Sequence, residues 1–161
     1  MKLSGILKPE CIVTDIKGGS KPEILGQLAQ PVARSTGLDQ FLLTEVLMNR
    51  ERLGSTGIGE GVAIPHGKVP GLGAITVALG LSAAGLDFAA LDGKPCHIFC
   101  AVLVPSESVS GHLKALARVS TLFKSGELRH RLLAAADAGE VYRLCALTFK
   151  GGNYILRADS P

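Results

Sequence analysis

The chain has no tryptophan and only two tyrosines and five phenylalanines among 161 residues. That leaves little aromatic surface on which a base or a sugar ring could stack. Charge is scarce as well. Asp, Glu, Lys and Arg together make up 19%, the net charge is +3, and the basic residues are scattered without a dense run. Such a pattern does not indicate nucleic-acid binding. Nowhere do about 18 apolar residues run uninterrupted, and Met1 to Glu10 has no continuous apolar region ahead of Lys8 and Pro9. The expectation is a cytoplasmic protein without membrane insertion. Cys11, Cys96, Cys100 and Cys145 would allow two disulfides by arithmetic, but a chain this long with 47% hydrophobic residues fills a core without staples. Four reduced thiols are expected.

What the sequence does have is apolar periodicity that alternates between strand and helix. Cys11 to Ile16 reads as a strand. Ser20 and Glu23 have capping-box spacing ahead of Ile24, Leu25, Leu28 and Val32, so a helix starts there. Pro31 predicts a kink or an early end near Gln30. A second helix is expected from Asp39, with Leu42, Leu43, Val46 and Leu47 on one face and Arg50 at its C-terminal end. Ala74 to Ala83 reads as a strand, Gly85 to Pro95 as a turn-rich connection, and Cys96 to Val104 as a strand covered on both faces. Ser110 can cap a helix with apolar positions Leu113, Leu116, Ala117 and Leu122, ending near Gly126. His130 falls in a further helical region and reads as surface, and a last helix spans about Gly139 to Phe149. The fold class that follows is α/β: one domain with a central mixed β-sheet flanked by helices on both faces.

The densest punctuation lies between Arg50 and Lys68. Gly54 stops the second helix, and a loop with Gly57, Gly59 and Gly61 leads to a short strand, Val62 to Ile64, that ends at Pro65-His66-Gly67. His66 is thereby presented at a strand end. An imidazole titrating near ~6.5 keeps a free lone pair at neutral pH and can attack phosphorus or carbon without a separate base. The glycines can expose N–H groups to an anion, with Ser55, Thr56 and Arg50 adding hydroxyl and guanidinium donors. The plainer alternative is punctuation around a surface histidine, with Arg50 complementing its helix dipole and pairing with Glu45 or Glu51.

His112 sits in the first turn of its helix. There it is either an exposed helix residue or a neutral donor to an anion at the helix N-terminus. Other signatures fail on context. The loop's lysine follows Pro-His-Gly, so it is no Walker motif, and a helix precedes the loop where a dinucleotide fingerprint needs a strand. No G-x-S-x-G elbow exists, which leaves hydrolysis a weak alternative. Cys96-His-Ile-Phe-Cys100 invites a zinc reading, but along a strand its cysteines would sit ~13 Å apart on one face with His97 on the other.

The string G-S-T-G-I-G-E-G-V-A-I-P-H-G-K, Gly54 to Lys68, closely resembles the phosphorylation motif of the phosphotransferase-system enzyme IIA family of the fructose/mannitol type, most of all its nitrogen-regulatory branch. D-F-A-A-L-D-G-K-P from Asp87, the apolar strand ending at Pro105 and H-L-K-A-L-A-R-V-S from His112 have counterparts in the same family. The resemblance implies a IIA domain over residues 1–150, with 151–161 as a tail. It also implies that His66 accepts a phosphoryl group on Nε2 from the phosphohistidine of an HPr-like carrier, itself charged from phosphoenolpyruvate by enzyme I. His66, His112 and Arg50 become the catalytic residues, and Ser55, Thr56 and Gly67 bind the phosphoryl group. A backbone carbonyl in the Gly67 region is expected to hold Nδ1–H. No cofactor and no metal are implied. The output is either binding of regulatory target proteins according to phosphorylation state or donation to a sugar-specific IIB domain. A non-catalytic module holding a phosphorylated metabolite is the remaining alternative.

Overall fold

In a computed structural model of the chain, residues 3–108 and 110–148 are described; the expected tail, 151–161, lies outside them. The elements run α1 (Leu3–Ile6), β1 (Leu7–Val13), α2 (Lys21–Thr36), α3 (Gln40–Glu51), β2 (Gly57–Gly59), β3 (Val62–Ala63), β4 (His66–Val69), β5 (Thr76–Leu86), β6 (Cys96–Pro105), α4 (Gly111–Phe123), α5 (Gly126–Ala134) and α6 (Ala138–Thr148).

The apolar run that forms β6 is the centre of the sheet. Ile98, Cys100, Val102 and Val104 point into one core, while Phe99, Ala101 and Leu103 point into the other. Strict alternation of two apolar sets is what a strand covered on both faces requires. Neighbouring strands follow the order β1-β5-β6-β3-β2, with β4 also paired to β6. β5 runs antiparallel to β6, whereas β3 and β4 run parallel to it, so the sheet is mixed. Residues of α2 and α3 fill the core on one face; residues of α4, α5 and α6 fill it on the other.

Several local expectations shift. α2 opens with the full Ser20/Glu23 capping box, but it does not end at Pro31 and continues to Thr36, closing on Gly37 in left-handed geometry. The proline removes one intrahelical bond. Leu28, Ala29 and Val32 are fully buried on either side of it and hold the helix to the sheet. β1 begins at Leu7, earlier than expected: Leu7 already pairs with Val77 of β5, and the register is then interrupted between Leu7 and Ile12. Lys8, Pro9 and Glu10 are exposed in that irregularity, at a sheet edge where a missing N–H is tolerated.

α4 shows the largest rotation from expectation. Its buried positions are Ala115, Val119, Leu122 and Phe123, so Ala117 is exposed and Leu113 is 71% exposed. The spacing i, i+4, i+7, i+8 makes a tighter stripe than the one read through Leu113. Ser110 sits at the N-cap without a side-chain cap bond, and the helix ends at Phe123. Cys96 and Cys100 enter opposite cores, not one face; Cys96 opens β6 beyond the irregularity that separates the Leu81–Ile98 and Leu86–Cys96 pairs. All four cysteines are free and buried.

Candidate functional site

Pro65 interrupts the strand that carries His66. Ala63 lies opposite Phe99 and His66 opposite Val102, so β3 and β4 share one line along β6 with Ile64 and Pro65 between them. Proline has no N–H to give the ladder, although its carbonyl accepts from the Val102 amide at 2.8 Å. The strand expected to reach Ile64 therefore stops at Ala63, and His66 opens a second short strand. The Ile64 carbonyl meets the ring of His66, with Nδ1 at 2.8 Å. A carbonyl oxygen only accepts, so Nδ1 carries the proton and Nε2 keeps the lone pair. The expected Gly67-region carbonyl is not the partner, because Gly67 is engaged in the β4–β6 ladder.

Alternation along β4 sets the rest of the site. His66 and Lys68 share one face, and Gly67 and Val69 share the other, where Val69 is buried against α2 and α3. α3 comes so near that a Cβ on Gly67 would overlap Val46 Cγ1 and approach the Val46 carbonyl at 3.3 Å. One turn beyond Val46, Arg50 projects to the same sheet edge. From the opposite face α4 brings His112, whose ring centroid lies 5.2 Å from that of His66 in an edge-to-face arrangement. Val46, Asn49, Arg50, Leu53, His66, Gly67, Lys68 and His112 line a shallow depression of about 440 Å³.

Charge and solvation tune both rings downward from 6.5. Burial is the main cause for His66; the Arg50 charge lowers it further, while the Ile64 bond and Glu51 oppose the shift. For His112 burial again leads, followed by His66, Lys68 and Arg50. Its Nδ1 is buried with no hydrogen-bond partner among the described residues. An orphaned buried N–H is the rarer kind of orphan, so the proton of neutral His112 is assigned to Nε2. Two neutral imidazoles result. One offers a lone pair and the other an N–H.

Arg50 donates from Nη1 to the Gly54 carbonyl at 3.0 Å and forms no ion pair with Glu45 or Glu51. Glu45 is near Arg52, 3.9 Å away, and Glu51 pairs with Lys21 at 2.9 Å. The carboxylate of Glu51 also accepts from the Thr56 amide at 2.9 Å and from its hydroxyl at 2.5 Å. Ser55 donates to the Phe88 carbonyl at 2.8 Å and accepts from the Gly57 amide at 3.1 Å. The structure thus brings His66, His112, Arg50 and Gly67 together and places Ser55 and Thr56 away from the depression. Their hydroxyls brace the loop that follows α3. The sequence reading missed Glu51 and Lys21, thirty residues apart in the chain, as that brace. It also gave Lys68 no role, though a period of two from His66 marks it.

A second depression, about 540 Å³, lies by Ile58, Glu60, Ser120 and Arg129. Its arginine is already committed, to the Phe123 carbonyl at 2.6 Å and to Glu60 at 3.6 Å. No histidine lines it.

Fold and site together define an α/β domain built around a histidine on an open sheet edge. The chain belongs to the family described as phosphoenolpyruvate-dependent sugar phosphotransferase system, EIIA 2, whose model matches residues 5–147. A nitrogen regulatory protein from Bradyrhizobium diazoefficiens is 37% identical over 147 residues, covering 91% of this chain and 96% of that protein. The crystal structure of nitrogen regulatory protein IIA-Ntr from Neisseria meningitidis superposes with a TM-score of 0.82 at 34% identity, covering 89% of this chain and 98% of that one. The fructose-specific EIIABC component of Bacillus subtilis is 35% identical over 84% of this chain, which matches 21% of that longer protein. Among the described residues no helix is long and apolar enough to cross a membrane.

Proposed function

We propose that this protein is a cytoplasmic phosphocarrier whose His66 accepts a phosphoryl group on Nε2 from the phosphohistidine of an HPr-like carrier. Its phosphorylation state then governs which nitrogen-related regulatory proteins it binds. The observation that carries the reading is the Nδ1–H bond from His66 to the Ile64 carbonyl, which leaves Nε2 as the only ring nucleophile. Transfer breaks the donor's P–N bond as a new P–N bond forms at Nε2, and the donor imidazole departs with the electron pair. One P–N bond replaces another, so the protein's part is alignment and charge stabilisation. Arg50 can leave the Gly54 carbonyl for the phosphoryl oxygens, and His112 donates from Nε2. Gly67 contributes by its lack of a side chain, and Ser55 and Thr56 act only as loop braces.

The likeness to nitrogen regulatory proteins along nearly their whole length favours the regulatory output. Kinship with the fructose-specific component favours a second reading, donation to a IIB domain. Incubation with phosphoenolpyruvate, enzyme I and an HPr-type carrier should add one acid-labile phosphoryl group to the wild type and none to His66→Ala. Undiminished label in the variant would remove His66 from the role. Affinity capture with wild type and His66→Asp separates the outputs: a cytoplasmic partner lost in the acidic variant supports regulation, and phosphoryl passage to a IIB domain alone supports transport.

A further inference from the structure

We propose that Lys68 holds the phosphoryl group on His66 as its second fixed positive charge. The inference rests on the reading that His66 is the phosphoacceptor and adds a residue to that site. A phosphoryl group carries roughly −1.5 to −2 charge near neutral pH. Arg50 supplies one positive charge. His112, its pKa lowered by burial and by its cationic neighbours, supplies an N–H but no full charge at neutral pH. With Arg50 alone, the depression would be left with most of a negative charge unbalanced in a half-buried place, where screening is weaker than in bulk water.

Lys68 meets that need by position. It stands two residues after His66 on β4, on the same face, and lines the same depression. Positions i and i+2 of a strand are about 7 Å apart at the backbone, a span that the extended lysine stem covers. No hydrogen bond or ion pair engages its ammonium among the described residues, whereas Lys21, Arg52, Arg129 and Arg131 all lie near a carboxylate. Lysine also suits a group that must be released again, because its ammonium is a compact point charge without the two-pronged grip of arginine.

The phosphoryl group itself reports the contact. A nearby cation favours the dianion, so the last ionisation of phospho-His66 lies lower with Lys68 present than without it. Protein labelled with potassium phosphoramidate can be titrated by 31P NMR as wild type, K68Q, K68R and K114Q. The midpoint should rise by about half a unit to one unit in K68Q, the size expected of one charge at a few ångströms across partly exposed space. It should return towards the wild-type value in K68R. K114Q removes an equal charge from exposed α4 two residues from His112, and it should leave the midpoint within about 0.2 units. An unmoved midpoint in K68Q, or an equal rise in K114Q, overturns the proposal while leaving the phosphocarrier reading intact. Absence of label at His66 in the wild type with both phosphoramidate and the phosphoenolpyruvate, enzyme I and HPr-type carrier system overturns both.

Discussion

Two histidines in this domain have the same local hydrogen bond and opposite prospects. His66, opposite Val102 of β6, bonds through Nδ1 to the Ile64 carbonyl at 2.8 Å; His97, near the start of β6, bonds through Nδ1 to the Ser82 carbonyl at 3.0 Å. Each backbone carbonyl fixes the same tautomer, so each ring keeps a lone pair on Nε2. The surroundings differ. A Cβ placed on Gly85 would lie only 3.0 Å from His97 Nε2 and 2.7 Å from its Cε1, so backbone already closes over that end of the ring. The ring of His66 instead borders a depression with Arg50, Lys68 and His112, rimmed by the 84% exposed Leu53. Tautomer control alone makes a well-ordered histidine. An acceptor site also needs an open approach and unmatched positive charge.

The largest expected effect tests that contrast directly. His97→Ala should take up phosphoryl label to the wild-type extent, against complete loss in His66→Ala; loss in both variants would mean that the β5–β6 end contributes to transfer. Next in size are Arg50→Gln and His112→Gln, each expected to slow transfer by about 10²-fold, the usual loss for one stabilising donor, with little change in Tm. Rates equal to wild type would return Arg50 to its bond with Gly54 and His112 to a packing role.

Gly67→Ala sharpens the comparison from the side of packing. The added methyl meets Val46, so overpacking should lower stability by about 1–3 kcal/mol, read by denaturant unfolding, and slow transfer as α3 moves. Wild-type stability would mean that α3 yields freely there. The smallest effect is on pH. Burial leads in lowering the His66 pKa below 6.5, so the ring should be more than half neutral at pH 6.5 and label uptake should persist on mild acidification. The unfolded chain binds more protons than the folded one as pH falls from 6.5, so thermal stability should decline in that direction. An NMR midpoint for His66 at or above 6.5 would contradict both statements.

Much of this was legible in the sequence where the physics is local. The Ser20/Glu23 capping box, the two-sided apolar run of β6 and the Pro65-His66-Gly67 punctuation each declare themselves within a few residues. What escaped reading depends on contacts distant in the chain. Nothing near Thr56 shows that its hydroxyl belongs to a glutamate held by Lys21, and nothing near Ser55 points to the Phe88 carbonyl. Leu113 looked like core because it is apolar and helical, and only the docked orientation of α4 turns it outward. The early end expected at Pro31 fails for the same reason, since burial of its neighbours outweighs one missing helix bond.

The closeness of Val46 to Gly67 has one more consequence, for how accurately the site can be built. His66 and Arg50 belong to different elements, and flexible side chains between those elements would let their separation wander. Here a helix is seated almost directly on the backbone of the residue next to His66, so both groups are located against one common datum. Alignment error cannot accumulate across an intervening layer. A misplacement of about 1 Å can cost a transfer reaction two orders of magnitude. The glycine therefore acts as a reference surface, and its tolerance sets that of the whole site.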